Sequence, residues 1–315
     1  MTASAFASSA TSARTRRVAT IASLLLLGAA SWLASGTAAA QSLPVSVETA
    51  GNSATIAVDI GSGGEALSTF SALLEPTDGR FAPTSTEVKL DFDDVRGLSA
   101  ANLGVSAERV GAASPALLSR MPDPQLVRLP HALPMLVTIQ PSDRSGFAFN
   151  RTVEVEIHTH DLTYTPGSSY RLFKASPGEG FRDITSDIGP GSVRARGTTG
   201  GFSQFLIVED LRDTRTVIAE KVDWMRDQVQ RLPAAAQARF GQHLDTVVAS
   251  VDSGDYANAI AALDTIRAEA AVAAANRDLP ATWQAVNQRQ NHAGELIAGA
   301  ATLKFSVAFL RDFGR

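Results

Sequence analysis

Apolar positions along this chain keep one period up to about residue 211 and another beyond it. From Leu43 to Leu211 they alternate in short runs separated by Gly, Pro, Ser and Thr, the pattern of strands with one face buried. Strands are predicted over 54–60, 87–92, 136–140, 152–159, 169–174, 192–196 and 202–209. Several short strands with turn residues between them predict an antiparallel β-sandwich. Ser176–Gly180 (S-P-G-E-G) and Gly197–Gly201 (G-T-T-G-G) carry turn chemistry, so each is expected to close a hairpin between the runs beside it. Residues 99–120 carry neither period, which fits a short helix or an irregular excursion, and the prolines at 122, 124, 130 and 134 extend the segment that follows. A sandwich of this length is either one decorated unit or two smaller ones.

After Asp213 the period becomes helical. Ile218, Val222, Met225, Val229 and Leu232 share one stripe, which Pro233 ends while opening the next helix. Phe240, Leu244, Val247, Val248 and Val251 form a second stripe, stopped by Ser253-Gly254. Tyr256, Ile260, Leu263 and Ile266 mark a third, ending before Pro280. Leu296, Leu303, Val307 and Leu310 mark a fourth, weakened by Gly294 and Gly299. Short connections make such helices antiparallel neighbours. The expected fold class is therefore α+β in segregated domains, with a sandwich over 41–211 followed by a helical bundle over 213–315.

The first forty residues have neither period. Arg14, Arg16 and Arg17 precede an uncharged, Leu-rich run from Val18 to Leu33, and Ala38-Ala39-Ala40 offers a small-residue cleavage site before Gln41, the layout of a secretory signal peptide. The run of 16 residues is short for a membrane span, which needs about 20. Thr15-Arg16-Arg17-Val18-Ala19 partly matches a twin-arginine signal but lacks the large apolar residue two places on, so ordinary export is expected.

Composition narrows the function classes. Cleavage at 40 would leave 25 basic against 32 acidic residues, a formal charge of −7, which disfavours nucleic acid because phosphate binding needs a basic surface. The chain has no cysteine, so disulfides, thiol catalysis, Cys-ligated zinc and a lipoprotein anchor are excluded. With 24 arginines to 4 lysines and abundant alanine it has the composition of a GC-rich bacterial gene. No later apolar run reaches 18 residues, so no integral membrane span is expected after signal cleavage.

The sharpest candidate chemistry lies at 152–161, T-V-E-V-E-I-H-T-H-D. On a strand, Val153, Val155 and Ile157 face one side, while Glu154, Glu156, His158 and His160 face the other. Two histidines at this spacing can share a metal, with Glu156 beside them. A solvated polar row gives the same pattern. Gly61-x-Gly63-x-x-Ala66 superficially matches a dinucleotide fingerprint, but Glu65 would repel pyrophosphate and no βαβ pattern follows. Asp91, Asp93 and Asp94 suggest calcium, yet Val95 and Arg96 stand where a calcium loop needs an oxygen ligand and a glycine. There is no G-x-S-x-G, S-x-x-K or H-E-x-x-H signature, and no catalytic residue or cofactor is assigned.

Residues 147–210 run F-x-x-x-V-E-V-E-I, S-Y-R-L-F-K, a Gly-rich turn, F-R-D-I-T, G-S-V-R-A-R-G and G-F-S-Q-F-L-I-V. This order resembles the C-terminal strands of the sandwiches in zonula occludens and netrin-receptor proteins, and similar modules of bacterial envelope proteins. Some members of that group cut their own chain before the Ser of an H-F-S sequence. The resemblance places that step at Phe202-Ser203, with Gly201 standing where the base would be. Residues 244–266 resemble the helical FIMAH modules of bacterial surface proteins. The expectation is an exported, periplasmic or secreted, non-enzymatic binding or structural protein whose partner is a protein or glycan of the envelope. The alternatives are a metal-dependent protein using His158 and His160, and an autoproteolytic sandwich.

Overall fold

The computed structural model describes residues 40–60, 85–189, 191–287 and 291–314, so the expected signal peptide, the twin-arginine-like motif and the Gly61 motif lie outside the described residues. Two antiparallel sheets face each other. The first runs β1 (Gln41–Leu43), β5 (Val105–Arg109), β7 (Met135–Ile139), β13 (Gln204–Asp210), β9 (Tyr170–Ala175) and β10 (Arg182–Asp183), with β6 (Val127–Arg128) also on β13. The second runs β11 (Thr185–Gly189), β12 (Ser192–Thr199), β8 (Ala148–Thr163), β4 (Ser85–Arg96), β3 (Ser53–Asp59) and β2 (Val45–Ala50), with β14 (Thr282–Gln284) also on β8.

Alternation sets which side each residue takes. Ala54, Ile56 and Val58 of β3, Val88 and Leu90 of β4, and Val153, Val155 and Ile157 of β8 all point into the sandwich core, against Leu172, Phe205 and Ile207 from the opposite sheet. The turn at Ser176–Gly180 closes the expected hairpin, pairing Arg182 with Lys174 across β9 and β10. The second expected hairpin does not form. Gly197 lies inside β12, paired with Thr185 and Val155, and the chain then crosses from the second sheet to β13 of the first. Glycine is required there because a Cβ on Gly197 would come 2.7 Å from the carbonyl oxygen of Ile184. The 99–120 segment resolves into α1 (Ala100–Leu103), β5 and α2 (Pro115–Leu118). Strand β5, V-S-A-E-R, buries only Ala107 of its alternating positions, too little to announce itself.

The helical half contains α3 (Thr214–Gln230), α4 (Ala234–Ser253), α5 (Tyr256–Ala275) and α6 (His292–Phe313). Asp213 and Asp255 cap α3 and α5 by accepting from the backbone N–H of Arg215 and Asn258, and Gly254 ends α4 in the left-handed conformation, φ 77°. The predicted stripes meet: Ile218, Val222, Met225, Phe240, Leu244, Val247, Leu263, Ile266, Leu296 and Leu303 form one buried cluster. Between α5 and α6 the chain returns to the sandwich. There β14 pairs with Ala148–Asn150, and Trp283 enters a cluster with Phe92, Phe147, Phe149 and Phe202, stacking on Phe149 at 5.3 Å. A strand of the sandwich thus comes from the stretch expected to be purely helical, and the described residues from 40 onward pack as one compact unit.

Candidate functional site

The histidine pair sits on the outer face of β8. His158 and His160 have ring centroids 4.7 Å apart, tilted by 60°, and His158 Nε2 lies 2.6 Å from Ser192 Oγ. Partial burial lowers the His158 pKa below its ordinary value, helped by the neighbouring Arg194 and His160 charges. Glu156, on the same face, is held instead by cations of the next strand: Arg196 Nε donates to it at 2.5 Å, and Arg194 Nη1 lies at 3.8 Å. Among the described residues no three His, Cys, Asp or Glu side chains converge to hold a metal ion. The three aspartates of β4 are likewise distributed among partners. Asp91 accepts from Ser53 Oγ, Asp93 accepts from Thr152 Oγ1 and forms an ion pair with Arg151 Nε at 3.3 Å, and Asp94 accepts from Asn150 Nδ2.

A second cluster, which sequence reasoning missed, is buried where the sandwich meets α3 and α6. Lys174 lies wholly inside, its Nζ donating to Thr199 Oγ1 at 2.5 Å with Glu295 Oε1 at 4.0 Å. Burial pushes its ammonium down to about 8, with only partial offset from Glu295. Beside it, Arg182 stacks on the Trp224 ring at 3.9 Å and reaches Glu295 Oε2 at 3.4 Å. Asp183 of β10 pairs with Lys221 of α3 at 2.9 Å, and Lys221 also donates to the Thr302 carbonyl and Ser306 Oγ of α6. Gly201 is fixed next to this cluster, where a Cβ would meet Trp283 Nε1 at 2.8 Å. Phe202 belongs to the aromatic core, and the buried Ser203 hydroxyl donates to the Phe202 carbonyl.

The third feature is a cleft of about 560 Å³ between the start of β8 and the C-terminus of α5. Ala274, Ala275, Leu279, Pro280 and Ala281 supply its apolar side, while Asp94, Asn150, Arg151, Arg277 and Thr282 supply polar groups. Among the described residues, Arg151 and Arg277 are the two non-glycine residues with positive φ, 58° and 65°. Arg151 is the extra residue of a bulge in β8, opposite Asp93, where the register against β4 shifts. Its backbone binds the helical half from both sides: its N–H donates to the Ala281 carbonyl at 2.6 Å, and its carbonyl accepts from Asn291 Nδ2 at 2.6 Å. Arg277 follows Asn276, the C-cap of α5, in the position where glycine usually ends a helix. A tight bulge and a left-handed helix stop have no hydrophobic periodicity, so the sequence carried no signal for the cleft.

A two-sheet sandwich that takes a strand and an aromatic residue from its own helical half, with a cleft at the seam, defines an α+β protein of mixed architecture. The chain belongs to a family of unknown function, DUF6689, whose model matches residues 28–311. No curated protein and no solved structure matches it.

Proposed function

We propose that the protein is an exported, non-catalytic binding or structural protein of the bacterial envelope or extracellular space, and that its partner enters the cleft at the seam. One observation carries this reading: both left-handed arginines line the same cleft of about 560 Å³. A non-glycine residue in that conformation costs about 1–2 kcal/mol, and such strain clusters where a site needs it. The lining is half apolar and half polar or charged, so a partner would be held there by burial of apolar surface and by hydrogen bonds together. The export part rests on the first forty residues. The likeness to zonula occludens, netrin-receptor and FIMAH modules rests on residue order alone and favours an envelope role.

The test is a pull-down from envelope fractions using residues 41–315, compared with an Arg277→Gly variant. Glycine suits φ 65° and removes the guanidinium from the cleft, so the variant is expected to fold at least as stably while capturing the partner poorly. Equal capture by both proteins, or none by the wild type, would sink the reading.

A further inference from the structure

We propose that His158 and His160 form a two-imidazole site for a borderline divalent transition cation such as Zn²⁺, Cu²⁺ or Ni²⁺. This site lies on the open face of the second sheet and stands apart from the cleft. Residues i and i+2 of a strand lie about 6.7 Å apart along its axis and share a face, so two side chains can lean toward one point. Here they do so, with centroids 4.7 Å apart. Two nitrogens bound tetrahedrally to one Zn²⁺ lie about 3.3 Å from each other, given bonds of about 2.0–2.1 Å. Because each ring nitrogen lies about 1 Å off its centroid, a centroid spacing of 4.7 Å is compatible with that separation.

The surroundings prepare one ring in particular. When His158 Nε2–H donates to Ser192 Oγ, 2.6 Å away, its tautomer is set and the Nδ1 lone pair is free for a metal. Metal-bound histidines are normally held this way by an outer partner. The two strands flanking β8 place opposite charges beside His158: Glu87 is its cross-strand partner in β4 and Arg194 in β12. Arg194 Nη1 lies 3.8 Å from Glu156, and its charge opposes a cation at His158 while those of Glu87 and Glu156 favour one, so the two imidazole nitrogens supply the binding. Glu156 itself is committed to Arg196, so water completes the coordination. Imidazole donors select the later first-row metals, whereas Ca²⁺ and Mg²⁺ require a set of oxygens.

The experiment is calorimetric titration of ZnCl₂ into untagged, EDTA-stripped protein covering 41–315, with MgCl₂ as control. One Zn²⁺ per chain and no Mg²⁺ response are expected. His158→Ala and His160→Ala should each weaken Zn²⁺ binding by at least the about tenfold that even an outer-sphere change costs. His131→Ala and His243→Ala should leave it unchanged. His160 is exposed and His158 half-buried on the outer face of the sheet, so thermal unfolding of the His160→Ala variant should match the wild type and that of His158→Ala should stay close to it. Absence of Zn²⁺ binding by the wild type, or binding that survives loss of His158 and of His160, overturns the proposal.

Discussion

Lys174 is the residue whose position departs furthest from its chemistry. It alternates in phase with Leu172, whose side chain is in the sandwich core, so strand parity alone sends an ammonium inward. That conflict was readable in S-Y-R-L-F-K. Its resolution was not, because Thr199 and Glu295 are brought to it only by folding. A fall from 10.5 to about 8 corresponds to roughly 3 kcal/mol of burial cost. The unfolded chain holds the proton up to about 10.5 and the folded chain only up to about 8, so between these values the unfolded state binds more protons. Stability therefore rises with pH across that window, and the full penalty applies below it. Urea unfolding of wild type and Lys174→Met at several pH values should show this rise in the wild type and a flatter curve in the variant. Parallel curves would mean that the ammonium is not desolvated. Comparison with the variant cancels other alkaline titrations, including that of Lys221.

Among the elements, α6 shows most clearly how a sequence signal can be read correctly and still mislead. Gly294 and Gly299 weaken helical propensity, which made this helix the faintest of the four. In the fold they are what lets the helix sit where it does. Asn291, 1% exposed, caps α6 through Gly294 N–H and donates to the carbonyls of Arg151 and Gly200, bridging the helix, the β8 bulge and the crossover. A Cβ on Gly294 would fall 2.1 Å from the Arg151 carbonyl, and one on Gly299 2.7 Å from the Trp224 ring. The other helices, and the strands with three or more alternating apolar residues, were legible because their own residues carry the period. Close approach between elements leaves no such mark. Two glycine substitutions should therefore have opposite signs. Gly294→Ala must displace backbone and is expected to cost about 3 kcal/mol. Gly241→Ala, in α4 with open space around it, should stabilise by about 0.5–1 kcal/mol. Chemical denaturation of both variants checks the pair, and a tolerated Gly294→Ala would show that the helix is not docked this closely.

For the molecule as a whole, the change of period announced two kinds of architecture, but not that one completes the other. Strand β14 has three residues and a single buried apolar side chain, Trp283, far too little to register as a strand. Yet that indole closes the aromatic end of the sandwich core, and the helical half also supplies Lys221 and Glu295 to Asp183, Arg182 and Lys174. Removing it would leave an aromatic cavity and buried charges without counterparts, and an uncompensated buried charge alone costs about 3–5 kcal/mol. That is a large part of the about 5–15 kcal/mol available to a folded domain. The two halves are thus expected to unfold together. Far-UV circular dichroism near 222 nm follows chiefly the helices, while fluorescence follows Trp283 in the sandwich and Trp224 beside Arg182. In protein spanning 41–315 the two signals should give one coincident transition. A chain ending at 211 should give no cooperative transition and should expose apolar surface to a reporter dye. Two separated transitions in the longer protein, or a cooperatively folded 41–211, would show that the sandwich closes its core without the helical half.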